Sequence, residues 1–388
     1  MLGFDGYRLW QNLRGASPAF FNSSQNIVEL FNNSGNEQLS PGQNQTEFPL
    51  IIPDGFTLSI FAKDLVKARV LHQDPTGTIV VSDMGTGEIV ALPNNQRVTS
   101  GFKQPHGFLF DNCTDTSCAL YVSEVTALWQ FDYNIQTKLA TNKQKLVDLP
   151  DGSRHFTRYV LKDPNNPNRL LISIGSACDV CVEKNPMHGS VQALDLTTKQ
   201  MSPYTTGLRN AVFLTVRPGT KEVWATEMGR DFLGDELPPD EINILKEGND
   251  YGWPYVFGKN IEDKKFPYPD RGVIRDIYTI PSHIDLPAHS APLGLTFIPG
   301  NSDWPRQYWG NLLVAYHGSW NRSDPTGYKV VRITLDEEGN KISEEDFISG
   351  WLDSNTSLGR PVDLLATKNG ELYISDDKTG VVYLLKKV

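Results

Sequence analysis

Between Thr205 and Pro254 the sequence places an Arg209-Asn210 pair, a Gly229-Arg230 step, four acids at Asp235, Glu236, Asp240 and Glu241, and a closing Asp250-Tyr251-Gly252-Trp253-Pro254. Arg and Asn side by side offer planar, charge-assisted donors suited to carboxylate or quinone oxygens. The same pair could equally stabilise a turn. Gly229 permits close backbone approach, so the carbonyls of Gly229 and Arg230 could ligate Ca²⁺, a hard cation that takes oxygen ligands. The four acids do not follow the spacing of an EF-hand loop and alone would read as a solvated acidic loop.

A general base is available in His155, within Gly152-Ser153-Arg154-His155-Phe156-Thr157-Arg158. Imidazole suits proton abstraction from an alcohol because its unperturbed pKa lies near neutrality, although a lone His is also a common structural residue. His289, His317 with Arg322, and Arg360 fall at comparable edges of strand-like segments further along. Trp253 and Trp320 could stack on a sugar or a planar cofactor, or simply be buried packing. No G-x-S-x-G, H-E-x-x-H, Walker A or G-x-G-x-x-G motif stands in a convincing context, which removes the simplest hydrolase, zincin and nicotinamide readings.

These residues must be positioned by a chain of 388 residues, 39% hydrophobic and 21% charged, enough for a large core. The net charge of -10 argues against a nucleic-acid partner, which would call for a basic patch. No stretch has the apolar length of a membrane span, and Met1 to Phe20 lack the apolar core of a signal peptide. Cys113 with Cys118, and Cys178 with Cys181, read as two local disulfides, with redox catalysis or half a zinc site as the other uses of a C-x-x-C. N-x-S/T sequons at Asn22, Asn32, Asn44, Asn112, Asn321 and Asn355 fit a glycoprotein. The expected localisation is therefore secreted, with the signal peptide not visible in this chain. A glycan on Asn321 would obstruct a pocket there, so that sequon is expected to be unused.

Residues 1–47, rich in Asn, Gln, Ser and Gly, read as a flexible leader, and 48–388 as the catalytic domain. Strand-like runs recur at Thr78 to Ser82, Ala119 to Ser123, Leu170 to Ile174, Glu222 to Thr226, Asn311 to Ala315 and Glu371 to Ser375, each after a turn such as Asp74-Pro75-Thr76-Gly77. Six similar hairpin modules without amphipathic helices predict an all-β fold, a six-bladed β-propeller of four-stranded antiparallel sheets. Loops at one end of a propeller channel converge, so motifs far apart in sequence can share one pocket.

Taken together, Pro105-His106-Gly107, His155-Phe156-Thr157-Arg158, Ser173-Ile174-Gly175-Ser176-Ala177-Cys178, Gly207-Leu208-Arg209-Asn210, Asp250-Tyr251-Gly252-Trp253-Pro254, His317-Gly318-Ser319-Trp320-Asn321-Arg322 and Gly359-Arg360-Pro361-Val362 resemble the soluble quinoprotein glucose/sorbosone dehydrogenase family. Sorbosone dehydrogenases and the pyrroloquinoline quinone (PQQ) domain of fungal pyranose dehydrogenases are the nearer likeness, over about Phe48 to Val388. The resemblance implies PQQ and Ca²⁺ in the channel mouth and oxidation of an aldose or related sugar. His155 would take the hydroxyl proton while hydride passes from the anomeric carbon to the quinone. It implies that Arg209 and Asn210 contact the cofactor, that the Gly229 and Arg230 carbonyls hold Ca²⁺, and that His289, His317, Arg322 and Arg360 surround the cofactor carboxylates. An external electron acceptor, such as a cytochrome, completes the cycle.

The chain departs from soluble glucose dehydrogenases of that family at two places. Arg360-Pro361-Val362-Asp363 stands where they carry Arg-x-Arg-Asp, and Arg154 stands where an Asp precedes the base. The resemblance therefore does not carry glucose itself as the substrate. Two other functions remain open on sequence: a Ca²⁺-dependent lactonase in which His155 or His289 activates water, and a binding module that kept the propeller without the cofactor.

Overall fold

A computed structural model describes residues 40–151, 154–269 and 278–388. The sequons at Asn22 and Asn32, most of the expected leader, and Gly152-Ser153 lie outside the described residues. Six antiparallel sheets follow one another along the chain. Blade 1 comprises Ala68–Gln73, Ile79–Asp83, Glu88–Ala91 and Gln96–Ser100, and blade 2 comprises Phe108–Asp111, Ser117–Ser123, Ala127–Asn134 and Leu139–Asp148. Blade 3 runs Arg158–Lys162, Arg169–Ile174, Ser190–Asp195, Met201–Thr205; blade 4 runs Ala211–Val216, Val223–Glu227, Asp240–Leu245, Ile284–Leu286. Blade 5 is Pro292–Phe297, Leu312–Tyr316, Lys329–Leu335 and Lys341–Ile348, and blade 6 opens with Pro361–Ala366, Glu371–Asp376 and Val381–Lys387.

The fourth strand of blade 6 comes from the other end of the fold. Phe56–Ala62 pairs antiparallel with Val381–Lys387, from Phe56 opposite Lys387 to Ala62 opposite Val382, and Gln43–Asn44 adds a short parallel strand outside it. The first strand of each blade touches the first strands of both neighbours, completing a closed cycle. This is the expected six-bladed propeller.

Burial along each blade explains the strand sequences. The second strands are largely apolar and buried between neighbouring sheets, wholly so in Ile79–Asp83, Val223–Glu227 and Leu312–Tyr316. The outermost strand of blade 2, Leu139–Asp148, is rich in Lys, Asn and Gln and mostly exposed, and a polar, charged edge discourages pairing with another chain. The predicted runs are these second strands, each within about two residues of its observed bounds.

Neighbouring blades are joined by hydrogen bonds as well as packing. Ser123 Oγ donates to the Arg158 carbonyl (2.5 Å), Thr226 Oγ1 to that of Leu293 (2.7 Å), and Ser375 Oγ to that of Arg69 (2.5 Å). Each hydroxyl sits on a second strand and reaches the inner strand of the next blade. Asp363 Oδ2 accepts the Leu71 amide (2.7 Å) across the seam between blades 6 and 1. Inner strands approach so closely that a Cβ at Gly107 would lie 2.6 Å from the Val160 nitrogen, and one at Gly294 2.6 Å from the Asp363 Cα.

The closing strand is locked by its first residue. Phe56 is fully buried, with ring centroids 5.5 Å from Trp304, 5.8 Å from Tyr308 and 6.3 Å from Phe347, all of blade 5. Phe56→Ala should cost about 3–5 kcal/mol through lost burial and a cavity at the seam. Urea unfolding measures this, and a loss below about 1 kcal/mol would show that the ring does not depend on that anchor.

Candidate active site at the channel mouth

In a propeller the connections from a second to a third strand, and from a fourth strand to the next blade, emerge at the same end. Here the segments 154–157, 175–189, 206–210, 228–239, 287–291 and 317–328 meet there. They enclose a cavity of about 230 Å³ lined by His155, Arg209, Asn210, Gly229 and His289, together with Arg154, Asp231, Asp240 and Trp320. Five of the expected catalytic, cofactor and metal residues, together with Asp240 and Trp320, thus share one pocket.

His155 is held from its backbone and its ring. Its amide donates to the Ser176 carbonyl (3.3 Å), and Nδ1 lies 3.1 Å from that same carbonyl and 2.8 Å from Ser176 Oγ. A carbonyl can only accept, and the Ser176 hydroxyl already donates to the Cys178 carbonyl (2.7 Å), so Nδ1 carries the hydrogen. Nε2 is then the nitrogen with a lone pair for accepting a proton. Burial pushes the imidazole down to about 2, with Arg209 and Arg154 adding to the effect, so it is neutral at physiological pH. Gly175 is required beneath it: a Cβ there would come 2.5 Å from His155 Cβ and 2.7 Å from Asn210 Oδ1.

Arg209 is buried and anchored by its neighbours. Its Nε donates to the Asp179 carbonyl (3.0 Å), one terminal nitrogen to Asp179 Oδ1 (2.7 Å) and Asp231 Oδ2 (3.4 Å), and the other to the Met228 carbonyl (3.2 Å). Of its five N–H groups one remains, on the nitrogen that reaches Met228, and Arg209 lines the cavity. The amides of Arg209 and Asn210 both donate to Glu227 Oε1, at 2.5 and 2.8 Å. Asn210 Oδ1 is buried in the pocket wall without a partner among the described residues.

Asp231 joins three blades. Its carboxylate accepts from Arg154 (2.8 Å), Arg209 and Asn321 Nδ2 (2.7 Å), and its amide donates to Asp179 Oδ1 (2.9 Å). Burial raises its pKa although the Arg209 charge opposes this. The amide nitrogen of the Asn321 sequon is thus buried and bonded within the fold. The Asn44 amide nitrogen is likewise engaged, with the carbonyls of Phe48 and Leu50, whereas Asn112 and Asn355 are exposed.

The Gly229-Arg230 step separates the cavity from a smaller void lined by Glu227, Glu241 and Asp263. The Gly229 amide donates to Asp240 Oδ1 (2.9 Å), whose Oδ2 accepts the Ala291 amide (2.9 Å) and tethers the loop to the edge of blade 5. Burial lifts Glu227 to about 8 and Glu241 to about 7, each raised further by a neighbouring carboxylate. The Arg230 side chain turns away to Asp263 (2.7 Å). Among the described residues the one trio of His, Cys, Asp or Glu donors within reach of a common ion is Cys178, Cys181 and Glu183, and both sulfurs are in a disulfide.

His289 lines the pocket in a left-handed conformation (φ 64°), with Nε2 donating to the Gly234 carbonyl (2.8 Å). Phe232 and Ala291 share that conformation (φ 66° and 53°), a concentration of backbone strain usual at functional sites. His317, Arg322 and Arg360 are placed otherwise. His317 Nε2 pairs with Asp377 (2.8 Å), and burial with the Arg360 charge pushes it down to about 4. Arg360 donates to the carbonyls of His317 and Gly318 at 3.0 and 2.6 Å, and Arg322 grips Glu236 and the carbonyls of Asp235 and Ala288. All three brace the loops around the pocket. Trp320 borders the cavity, edge-on to Phe232 at 6.0 Å, while Trp253 lines the smaller void. Sequence reasoning missed Asp179, Asp231 and Ser176. Their one local signal was proximity to the C-x-x-C and to Gly229-Arg230.

Comparison with known proteins agrees with the motifs. Residues 50–388 match the model of the family described as TrAA12-like. An uncharacterised protein of Borreliella burgdorferi is 31% identical, the alignment covering 86% of this chain and 90% of that protein. The pyrroloquinoline quinone-dependent pyranose dehydrogenase of Coprinopsis cinerea is 24% identical over 90% of this chain, which spans 56% of its length. Among solved structures, the holo form of that enzyme's PQQ domain has a TM-score of 0.70 at 23% identity, covering 89% of this chain and 100% of the domain. The calcium structure of Trichoderma reesei Carbohydrate-Active Enzymes Family AA12 reaches 0.74 at 20% identity, covering 92% and 100%. The family match thus spans the whole ring and its pocket, and the chain belongs to the TrAA12-like family, within the soluble quinoprotein sugar dehydrogenases that its motifs resemble.

Proposed function

We propose that this protein is a PQQ- and Ca²⁺-dependent dehydrogenase of an aldose or related sugar, with His155 as general base. The observation that carries this reading is the convergence, in one cavity, of a neutral imidazole of defined tautomer with Arg209 and Asn210. The residues suit a planar polycarboxylate with a ring N–H: Arg154 and Arg209 supply positive charge, Trp320 an aromatic border, and Asn210 Oδ1, without a partner among the described residues, an acceptor for the ring N–H. PQQ bound here would supply the hydride acceptor, and the Gly229 and Arg230 carbonyls would hold a Ca²⁺ that supplies Lewis acidity.

His155 Nε2 takes the proton of the anomeric hydroxyl as the C1–H bond gives up its hydride, and the sugar leaves as the lactone. Arg209 offers its remaining N–H to a cofactor carboxylate, and Asn210 its amide to the cofactor's polar edge. His289 and Asp240 keep the Gly229 loop against the pocket. His317, Arg322 and Arg360 act from behind, as braces for the surrounding loops. Electrons pass on to an external acceptor, such as a cytochrome. Two disulfides, Cys113–Cys118 and Cys178–Cys181, and exposed sequons at Asn112 and Asn355 support an oxidising, extracellular setting.

Reconstitution with PQQ and Ca²⁺ should give cofactor absorbance that an aldose bleaches. His155→Ala should retain the absorbance and slow bleaching by about 10²–10⁴-fold. A protein that fails to take up PQQ would end this reading, and unchanged bleaching in the variant would remove His155 as base.

The low pKa of His155 sets an expected pH response. Activity needs the neutral ring and is lost as pH falls through its pKa, so a depressed pKa extends activity into acid. Arg154 contributes to the depression from a partly exposed position. Arg154→Met should therefore move the acid limb of kcat to higher pH. A limb that stays in place or moves lower would contradict the electrostatic account.

A further inference from the structure

The C-x-x-C lies directly behind the catalytic pocket. Cys178 and Cys181 form a disulfide, and the ring it closes contains Asp179. From this ring two sets of contacts run into the site. In one, the Cys178 carbonyl accepts the Ser176 hydroxyl (2.7 Å), which in turn accepts from His155 Nδ1 (2.8 Å). In the other, Asp179 binds Arg209 through both its carbonyl (3.0 Å) and its carboxylate (2.7 Å), and the same carboxylate oxygen accepts the Asp231 amide (2.9 Å).

Residues 175–189 have no regular strand pairing, so the sheet does not fix where Asp179 stands. Glu183 braces the segment once, accepting the Ala177 amide (2.7 Å). A bridge across so few residues removes little entropy from the unfolded chain, and its stabilising effect should be correspondingly small. Its local effect is larger, because it limits the rotation of the peptide groups whose oxygens face Ser176 and Arg209.

We propose that the Cys178–Cys181 disulfide is a positioning element of the active site, fixing the His155 tautomer through Ser176 and the Arg209 guanidinium through Asp179. This rests on the reading of His155 as base and Arg209 as cofactor contact. The covalent change that would release it is a two-electron, two-proton reduction to two thiols, with a dithiol reductant oxidised to its own disulfide. Of the two bridges, Cys113–Cys118 ties the turn before the second strand of blade 2 to that strand and serves as the internal control.

The test begins with the apo protein, labelled with ¹⁵N-histidine so that NMR reports the tautomer of His155 without any cofactor. The oxidised protein should show hydrogen on Nδ1. Cys178→Ser/Cys181→Ser should give a mixture of tautomers and weaken PQQ binding by at least about tenfold, while Cys113→Ser/Cys118→Ser changes neither. Two finer variants separate the arms. Ser176→Ala should disturb the tautomer and spare PQQ affinity, and Asp179→Asn should weaken PQQ affinity and spare the tautomer. If the double Cys178/Cys181 variant folds with the tautomer and PQQ affinity of the parent, the proposal is overturned. It is overturned equally if each finer variant shifts both readouts together. A parent protein that does not bind PQQ would defeat the dehydrogenase reading, yet the tautomer would still decide whether the bridge orients His155.

Discussion

The close approach of the inner strands is the constraint on which this structure rests. Six strands can surround a channel only if their backbones come nearer than ordinary side chains allow. Gly107 and Gly294 stand where a Cβ would strike the next blade. At the same contacts Ser123, Thr226 and Ser375 use hydroxyls to satisfy carbonyls of the following blade. Packing and polar satisfaction are therefore solved together, and buried backbone groups that no sheet ladder reaches still find partners. The narrow channel then forces loops from several blades over a single opening.

At that opening the difficulty becomes one of buried charge. A guanidinium taken from water is tolerated only with partners in good geometry, and Arg209 has Asp179, Asp231 and two carbonyls. Arg209 and Arg154 also help hold His155 in its neutral form. The charge that would grip an anionic cofactor thus also keeps the imidazole unprotonated. Asp231, placed between Arg154, Arg209 and Asn321, keeps this arrangement from flying apart by mutual repulsion and links blades that share no strand.

Much of the ring was legible because each second strand is a short apolar run after a strong turn signal, as with Glu371–Asp376 after Lys368-Asn369-Gly370. Two strands were not. Ile284–Leu286 follows its blade partner, Asp240–Leu245, only after a long insertion, and Phe56–Ala62 pairs with the far end of the chain. Local pattern carries no record of such distant partners. The site divides in the same way. His155, Arg209, Asn210, Gly229 and His289 were found by type and motif and do share the cavity. Asp179 and Asp231 were not, because their meaning lies in contacts with Arg209, 30 and 22 residues away. Arg360 and Arg322 were expected around the cofactor carboxylates, and in the structure their hydrogen bonds go to backbone carbonyls of the protein and to Glu236.

The strand swap at the seam also orders events in time. During synthesis Phe56–Ala62 leaves the ribosome long before Val381–Lys387, the strand it must pair with. Until Val381–Lys387 emerges, that segment is an unmatched edge and the other blades form an open arc, in which Asp363 has no settled claim on Leu71. The pocket mouth takes its final width only when the arc becomes a circle. Maturation of the site is thereby deferred until residues 381–387 have been made, and a nascent chain that stalls before them presents a sticky, incomplete crescent rather than a partly working enzyme.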